Sequence, residues 1–200
     1  MPARYSAPAA LRNRDPILAV LRQFLPPAGL LLEIASGSGE HAVHWARHLP
    51  DWTIQPSDAE ARARDSIAAH AAEAGLPNLL APLALDAAAA PWPVDRADAV
   101  LCINMIHIAP WAATLGLLAG AARCLAPGAP LLLYGPYRRD GLPTAPSNEA
   151  FDADLRRRNP AWGLRRLEDV AAAAAAAGFQ PVPAVTEMPA NNLTLVFRRG

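Results

Sequence analysis

Six places along the chain carry residue types that could do chemistry together. The first is the run Glu33-Ile34-Ala35-Ser36-Gly37-Ser38-Gly39-Glu40-His41-Ala42, a small-residue turn between an apolar stretch and a helical pattern. Gly37 and Gly39 can take backbone angles closed to other residues and leave no side chain between backbone and ligand. The helix that follows offers unpaired N–H groups and a partial positive charge at its start. A turn of this kind suits a nucleotide-type cofactor. Asp58 lies 19 residues beyond Gly39, and a carboxylate about 20 residues past such a turn can hold ribose hydroxyls, as it can equally cap a helix. Asp86, the pair Asn104 and His107, the pair Tyr134 and Tyr137, and Asn191 follow at later points.

These residues need elements to place them. The apolar spacing predicts a helix over 7–25, closed by Pro26-Pro27, and its polar face carries Arg12, Asn13 and Arg14. Residues 30–35 are nearly all apolar, as in a strand covered by helices on both faces. A helix over 40–48 follows, then a strand over 52–57 whose end Pro56 should make irregular. The pattern continues with a helix over 59–74 closed by Gly75, a strand over 79–85, and a strand over 97–103. A helix over 111–125, a strand over 129–134, and helices over 147–160 and 167–177 come next. Two strand-like runs, 180–187 and 193–199, end the chain, joined by Met188-Pro189-Ala190-Asn191-Asn192; their close spacing predicts an antiparallel pair.

Strands alternating with helices predict an α/β fold: a Rossmann-like doubly wound sheet, mostly parallel, with an antiparallel C-terminal strand. Ligands of such sheets bind outside the C-terminal strand ends, where strand order reverses. The polar residues fall there, after four consecutive strands and again after the fifth.

Composition narrows the partners. The formal net charge is zero over 200 residues, which argues against nucleic acid. No apolar run reaches the roughly 18 residues of a membrane helix, and the start Met1-Pro2-Ala3-Arg4-Tyr5 lacks the apolar segment of a signal peptide, so a cytoplasmic protein is expected. Cys102 and Cys124 sit in apolar surroundings and read as buried thiols. His41, His44 and His48 share a helix face, but no cysteine or carboxylate cluster accompanies them, and no metal is expected. His41, at the helix start, reads as a residue close to the cofactor.

Two cofactors compete for the turn. Gly37-Ser38-Gly39-Glu40-His41-Ala42 satisfies the dinucleotide fingerprint with alanine in third place, as a nicotinamide-dependent reductase would. S-adenosyl-L-methionine has no pyrophosphate and fits one compact domain, and the extra carboxylate at Asp86 suits its adenine amino group.

The chain resembles a class I S-adenosylmethionine-dependent methyltransferase, and more closely a small methyltransferase-like family found in bacteria and animals. The resemblance rests on Arg12-Asn13, the block from Glu33 to Ala42, Gln55-Pro56-Ser57-Asp58, Asn104-Met105-Ile106-His107-Ile108-Ala109-Pro110-Trp111, Tyr134-Gly135-Pro136-Tyr137, Ser147-Asn148 with Phe151-Asp152, and Met188 to Asn192. It implies one methyltransferase-like domain over 1–200, with 1–27 as a helical cover and 28–200 as the α/β core. It also implies that Glu33, Ala35 and Gly37 cradle the methionine part of the cofactor, Asp58 the ribose, and Leu85 with Asp86 the adenine. Asn13, Ser36, Gly39, His41 and Asn104 complete the expected cofactor set. One position departs: the first glycine of the acidic-x-glycine-x-glycine pattern is Ala35.

The expected reaction is in-line methyl transfer to a small-molecule acceptor, where holding the acceptor close to the methyl carbon lowers the barrier. His107 is the candidate general base and has an equally open reading as a buried structural histidine. Asn104 would orient the acceptor or the cofactor's amino group. Trp111, Tyr134, Tyr137, Arg138, Ser147, Asn148 and Asn191 would form the acceptor wall. Arg138, Arg139 and the Arg156-Arg157-Arg158 run suit an acidic acceptor and, equally, a solvated helix face. A protein that binds the cofactor or its demethylated product without catalysis shares all of these features.

Overall fold

The computed structural model of the protein describes residues 4–180 and 183–200. The helix α1 (Pro8–Phe24) leads into β1 (Gly29–Ile34), α2 (Glu40–His48), β2 (Trp52–Asp58), α3 (Ala61–Ala74) and β3 (Leu83–Ala84). Then come β4 (Ala99–Ile103), a 3-10 turn over Met105–His107, α4 (Trp111–Cys124), β5 (Pro130–Gly135), and the short β6 (Tyr137–Arg138). The chain continues through α5 (Pro146–Arg158), β7 (Arg165–Arg166), α6 (Leu167–Ala176), β8 (Ala184–Met188), a 3-10 turn over Pro189–Asn191, and β9 (Asn192–Arg198). Of the strand-like run expected over 180–187, residues 181 and 182 lie outside the described residues, as do residues 1–3.

Seven strands form one sheet in the order β3-β2-β1-β4-β5-β9-β8, with β6 and β7 paired separately. Strands β1 to β5 are parallel. β9 runs antiparallel to β5, with Leu132 opposite Val196, and β8 antiparallel to β9. Strand order reverses at β1, which has β2 on one side and β4 on the other.

The period-two alternation of apolar strands explains the layering. Leu32, Val100 and Leu133 point to a core completed by Leu117 and Leu118 of α4 and Val170 of α6. Their neighbours Leu31, Leu101 and Leu132 point to the other face, against Ile17 and Leu21 of α1 and Trp45 of α2. Both faces are covered, so nearly every position of these strands is apolar.

Two strand expectations change. β2 continues through Pro56, which pairs with Glu33 of β1. The N–H of Ile54 donates toward the β3 side of β2, to the Asn78 carbonyl, so the N–H missing two residues on at Pro56 belongs to that same side. There the Gln55 side-chain amide donates to the Ala81 and Pro56 carbonyls at 2.8 and 3.0 Å. β3 is reduced to two residues, because Pro82 interrupts the ladder and only a bridge between Ile54 and Leu79 precedes it.

Candidate functional site

The turn after β1 is left-handed three times within five residues: φ is +58° at Ala35, +58° at Gly37 and +94° at Gly39. The two glycines serve different ends. A Cβ on Gly39 would stand 2.7 Å from the Ile67 backbone, so its absence lets α3 approach. A Cβ on Gly37 would meet nothing within 4 Å and would project into open space. That space is a cavity of about 500 Å³ bounded by Ala35, Gly37, Asp58, Leu85 and Asp86, with Met105 and Ile108 on the opposite wall.

Asp58, at the end of β2, accepts hydrogen bonds from the backbone amides of Gly37 and Glu60, each at 3.0 Å. Asp86 stands exposed at the rim and accepts from the Ala88 amide. Ser36 is buried beneath the turn; its hydroxyl donates to the Glu33 carbonyl and accepts from the Ser57 amide. Glu33 is 1% exposed; Oε1 accepts from the Trp45 indole at 2.7 Å, while Oε2 has no partner. Burial pushes its carboxyl up to about 7, against the opposing effect of the Trp45 hydrogen bond.

A second cavity, of about 930 Å³, opens on the other side of the β4 end. Ile108 lines both, and Asn104 lines the second directly after Ile103 of the first. Its walls come from five parts of the chain: α1, the loop after β4, the end of β5, α5 and the turn over Pro189–Asn191. α1 is pinned over it. Asn13 Oδ1 lies 2.8 Å from His41 Nε2, and the His41 ring stacks on Trp45. Upstream of α1, the Ala7 amide and Ser6 hydroxyl donate to Glu40. Burial pushes His41 down to about 4, keeping the ring neutral. Burial raises the Tyr134 phenol.

The expected residues therefore divide. Ala35, Gly37, Asp58, Leu85 and Asp86 surround the first cavity. Asn13, Asn104, Tyr134, Ser147 and Asn148 surround the second. Glu33, Ser36, Gly39 and His41 shape the turn and helix from behind and line neither cavity.

Five others depart from the acceptor and base expectations. His107 is fully buried and lines no cavity. Its ring packs edge-on to Tyr137 and closes against Gly135, where a Cβ would meet Nε2 at 2.4 Å. Its Nδ1 faces the Arg165 amide at 3.4 Å, and burial pushes it down to about 3. Trp111 turns to the Arg165 guanidinium at 5.6 Å. Arg138 is held by Glu149 and Asp152. Tyr137 and Asn191 border a small separate hollow of about 100 Å³.

Arg165 was invisible to sequence reasoning. Its guanidinium donates to the carbonyls of Ile106, Ala109 and Ala161, stapling the loop that bears Ile108. The contact spans 59 residues from Ile106, and no local signal announces it. Ile108, Phe151 and Asn192 also line the second cavity and were likewise unassigned. Among the described residues, no helix is long and apolar enough to cross a membrane, and no three His, Cys, Asp or Glu residues cluster as metal ligands would.

A family model described as protein of unknown function, DUF938, matches residues 4–199. The chain belongs to that family. Solved structures show the same architecture. SibL, an S-adenosylmethionine-dependent methyltransferase in its apo form, aligns with a TM-score of 0.78 at 23% identity, over 96% of this chain and 55% of SibL. An O-methyltransferase family protein from Burkholderia thailandensis gives 0.80 at 19%, over 96% of this chain and 57% of its own. Human N-acetylserotonin methyltransferase in complex with SAM gives 0.76 at 16%, over 92% and 51%. The chain spans about half the length of these structures, and it has the class I methyltransferase fold.

Proposed function

We propose that the protein is an S-adenosylmethionine-dependent methyltransferase acting on a small-molecule acceptor. The observation that carries this reading is the pair of cavities that share Ile108 at the C-terminal end of β4, one bounded by the glycine turn and the other by amides and hydroxyls.

The residues suit that cofactor. Gly37 leaves room where a Cβ would stand, Asp58 and Asp86 offer acceptors for ribose hydroxyls and an adenine amino group, and Leu85 gives an apolar face. Bound there, S-adenosylmethionine supplies a methyl group already activated by its sulfonium. The chain's own task is then positioning. Asn104, held in a left-handed conformation at φ +61°, stands at the junction of the cavities and would orient the acceptor. α1 and Tyr134 close the second cavity from the side of the sheet that carries Trp45. His107 serves as a packing residue that fixes the loop after β4.

Calorimetric titration with S-adenosylmethionine and with S-adenosylhomocysteine tests the reading; heat with both, and one site per chain, is expected. Absence of heat with either removes it.

A further inference from the structure

The second cavity lacks a group that could take a proton. Its ionisable side chains are Arg12, Tyr134 and Arg158, and among the described residues no Asp, Glu, His or Cys lines it. Burial raises the Tyr134 phenol, so the group stays protonated near neutral pH. The carboxylates Asp58, Glu60 and Asp86 all line the cofactor cavity instead. His107 is enclosed behind Gly135.

Arginines that could have served an acidic acceptor are engaged elsewhere. Arg138 pairs with Glu149 and Asp152, Arg139 with Glu187, Arg156 with Asp152 and Arg157 with Asp154. Arg12, on α1, has no acidic partner among the described residues. Arg158, on α5, lies 3.8 Å from Asp154 and stacks over Trp162. These two cations line a cavity otherwise built from amides, hydroxyls and the apolar Ile108, Phe151 and Pro136.

We infer that the acceptor is a small organic anion whose methyl-accepting oxygen arrives already deprotonated, a carboxylate or an acidic phenolate, drawn in by Arg12 and Arg158. The inference rests on the methyltransferase reading. The acceptor oxygen's lone pair forms the new O–C bond while the S–C bond breaks and its pair remains on sulfur; no proton is released, so no base is needed. The apolar wall takes the carbon skeleton, and a cationic mouth raises the local anion concentration.

The first arm of the test is S-adenosylmethionine calorimetry: no heat there sinks the cofactor reading, independently of the acceptor. With S-adenosylhomocysteine bound, aryl carboxylates and phenols of graded acidity are then titrated beside their neutral amides and beside amines of the same skeleton. The anions should bind at least roughly tenfold tighter. Arg12→Gln should cost about that factor for the anions and leave S-adenosylhomocysteine affinity unchanged. In turnover, the onset of rate with pH should follow the phenol's own pKa, and ester or ether products separate the two oxygen classes. Equal or tighter binding of neutral or amine compounds, indifference to Arg12→Gln, or an onset fixed at one pH for every phenol overturns the inference.

Discussion

The backbone amide of Gly37 donates to Oδ2 of Asp58 at 3.0 Å, tying the left-handed turn after β1 to the end of β2. The carboxylate that lines the first cavity therefore also fixes the turn that bounds it. Its other oxygen accepts from the Glu60 amide, so the side chain cannot swing.

Asp58→Asn keeps one oxygen acceptor and replaces the other with a donor that faces an N–H group. The protein should fold, with a stability loss of about 1 kcal/mol from the mismatched hydrogen bond. Affinity for S-adenosylmethionine should fall roughly tenfold to a hundredfold, since charge-assisted hydrogen bonds are about twice as strong as neutral ones. Calorimetry beside a thermal melt separates the two effects; unchanged affinity would exclude Asp58 from the cofactor contacts.

Ala35 and Gly37 share a φ of +58° and differ only by a methyl group. A left-handed backbone costs a non-glycine residue roughly 1–2 kcal/mol, while glycine costs about 0.4–1 kcal/mol in unfolded-chain entropy. Ala35→Gly should therefore leave stability unchanged or raise it by up to about 1 kcal/mol, an unusual outcome for loss of a side chain. Gly37→Ala takes on that strain and places a methyl in the cavity. It should fold less stably and lose most cofactor affinity. Denaturant midpoints and cofactor titrations should both show a loss for Gly37→Ala and none for Ala35→Gly.

How much of this was legible follows from how far each signal reaches. The turn could be read because Gly37 and Gly39 lie beside an apolar strand, and Asp58 because parallel strands end at one edge. Tyr134, Ser147 and Asn148 face the second cavity as their positions after β5 and in α5 suggested. Trp111 and Arg138 do not, because Arg165, Glu149 and Asp152 claim them through contacts that sequence spacing cannot announce. His107 had two readings from its place after β4, and its complete burial against Gly135 and Tyr137 favours the packing one. Pro82 shortened β3 where apolar content alone suggested a full strand.

Glu33 gives stability an unusual pH dependence. Its folded-state carboxyl is raised from 4.5 to about 7, so the contribution is complete below about pH 4.5 and lost as pH rises through 7. At about 1.36 kcal/mol per pKa unit, the loss is roughly 3 kcal/mol. The imidazoles work in the other direction. His41 and His44, lowered by burial to about 4, and His107, lowered to about 3, take up protons on unfolding, so their contribution is lost as pH falls below 6.5. Between pH 4.5 and 6.5, one proton is released and up to three are taken up, and acid destabilises. Glu33→Gln should steepen this acid slope and flatten the decline between pH 6.5 and 8. Urea midpoints across pH 5–8 measure both; an unchanged slope in the variant contradicts the raised carboxyl.

His107→Gln separates packing from proton transfer. Glutamine is polar, can present an oxygen toward the Arg165 amide and cannot act as a base near neutral pH. If His107 only fixes the loop after β4, the variant should lose about 1–3 kcal/mol of stability, from the altered packing against Tyr137 and Gly135 and the disturbed contact with Arg165. Turnover should stay within several-fold of the parent, with the same pH onset for a given acceptor. A base contributes typically 10²–10⁴-fold, so a loss of that size at full cofactor occupancy, with the pH dependence abolished, would return His107 to the chemistry. Thermal melts with and without S-adenosylhomocysteine establish that the variant is folded and loaded before its rate is compared.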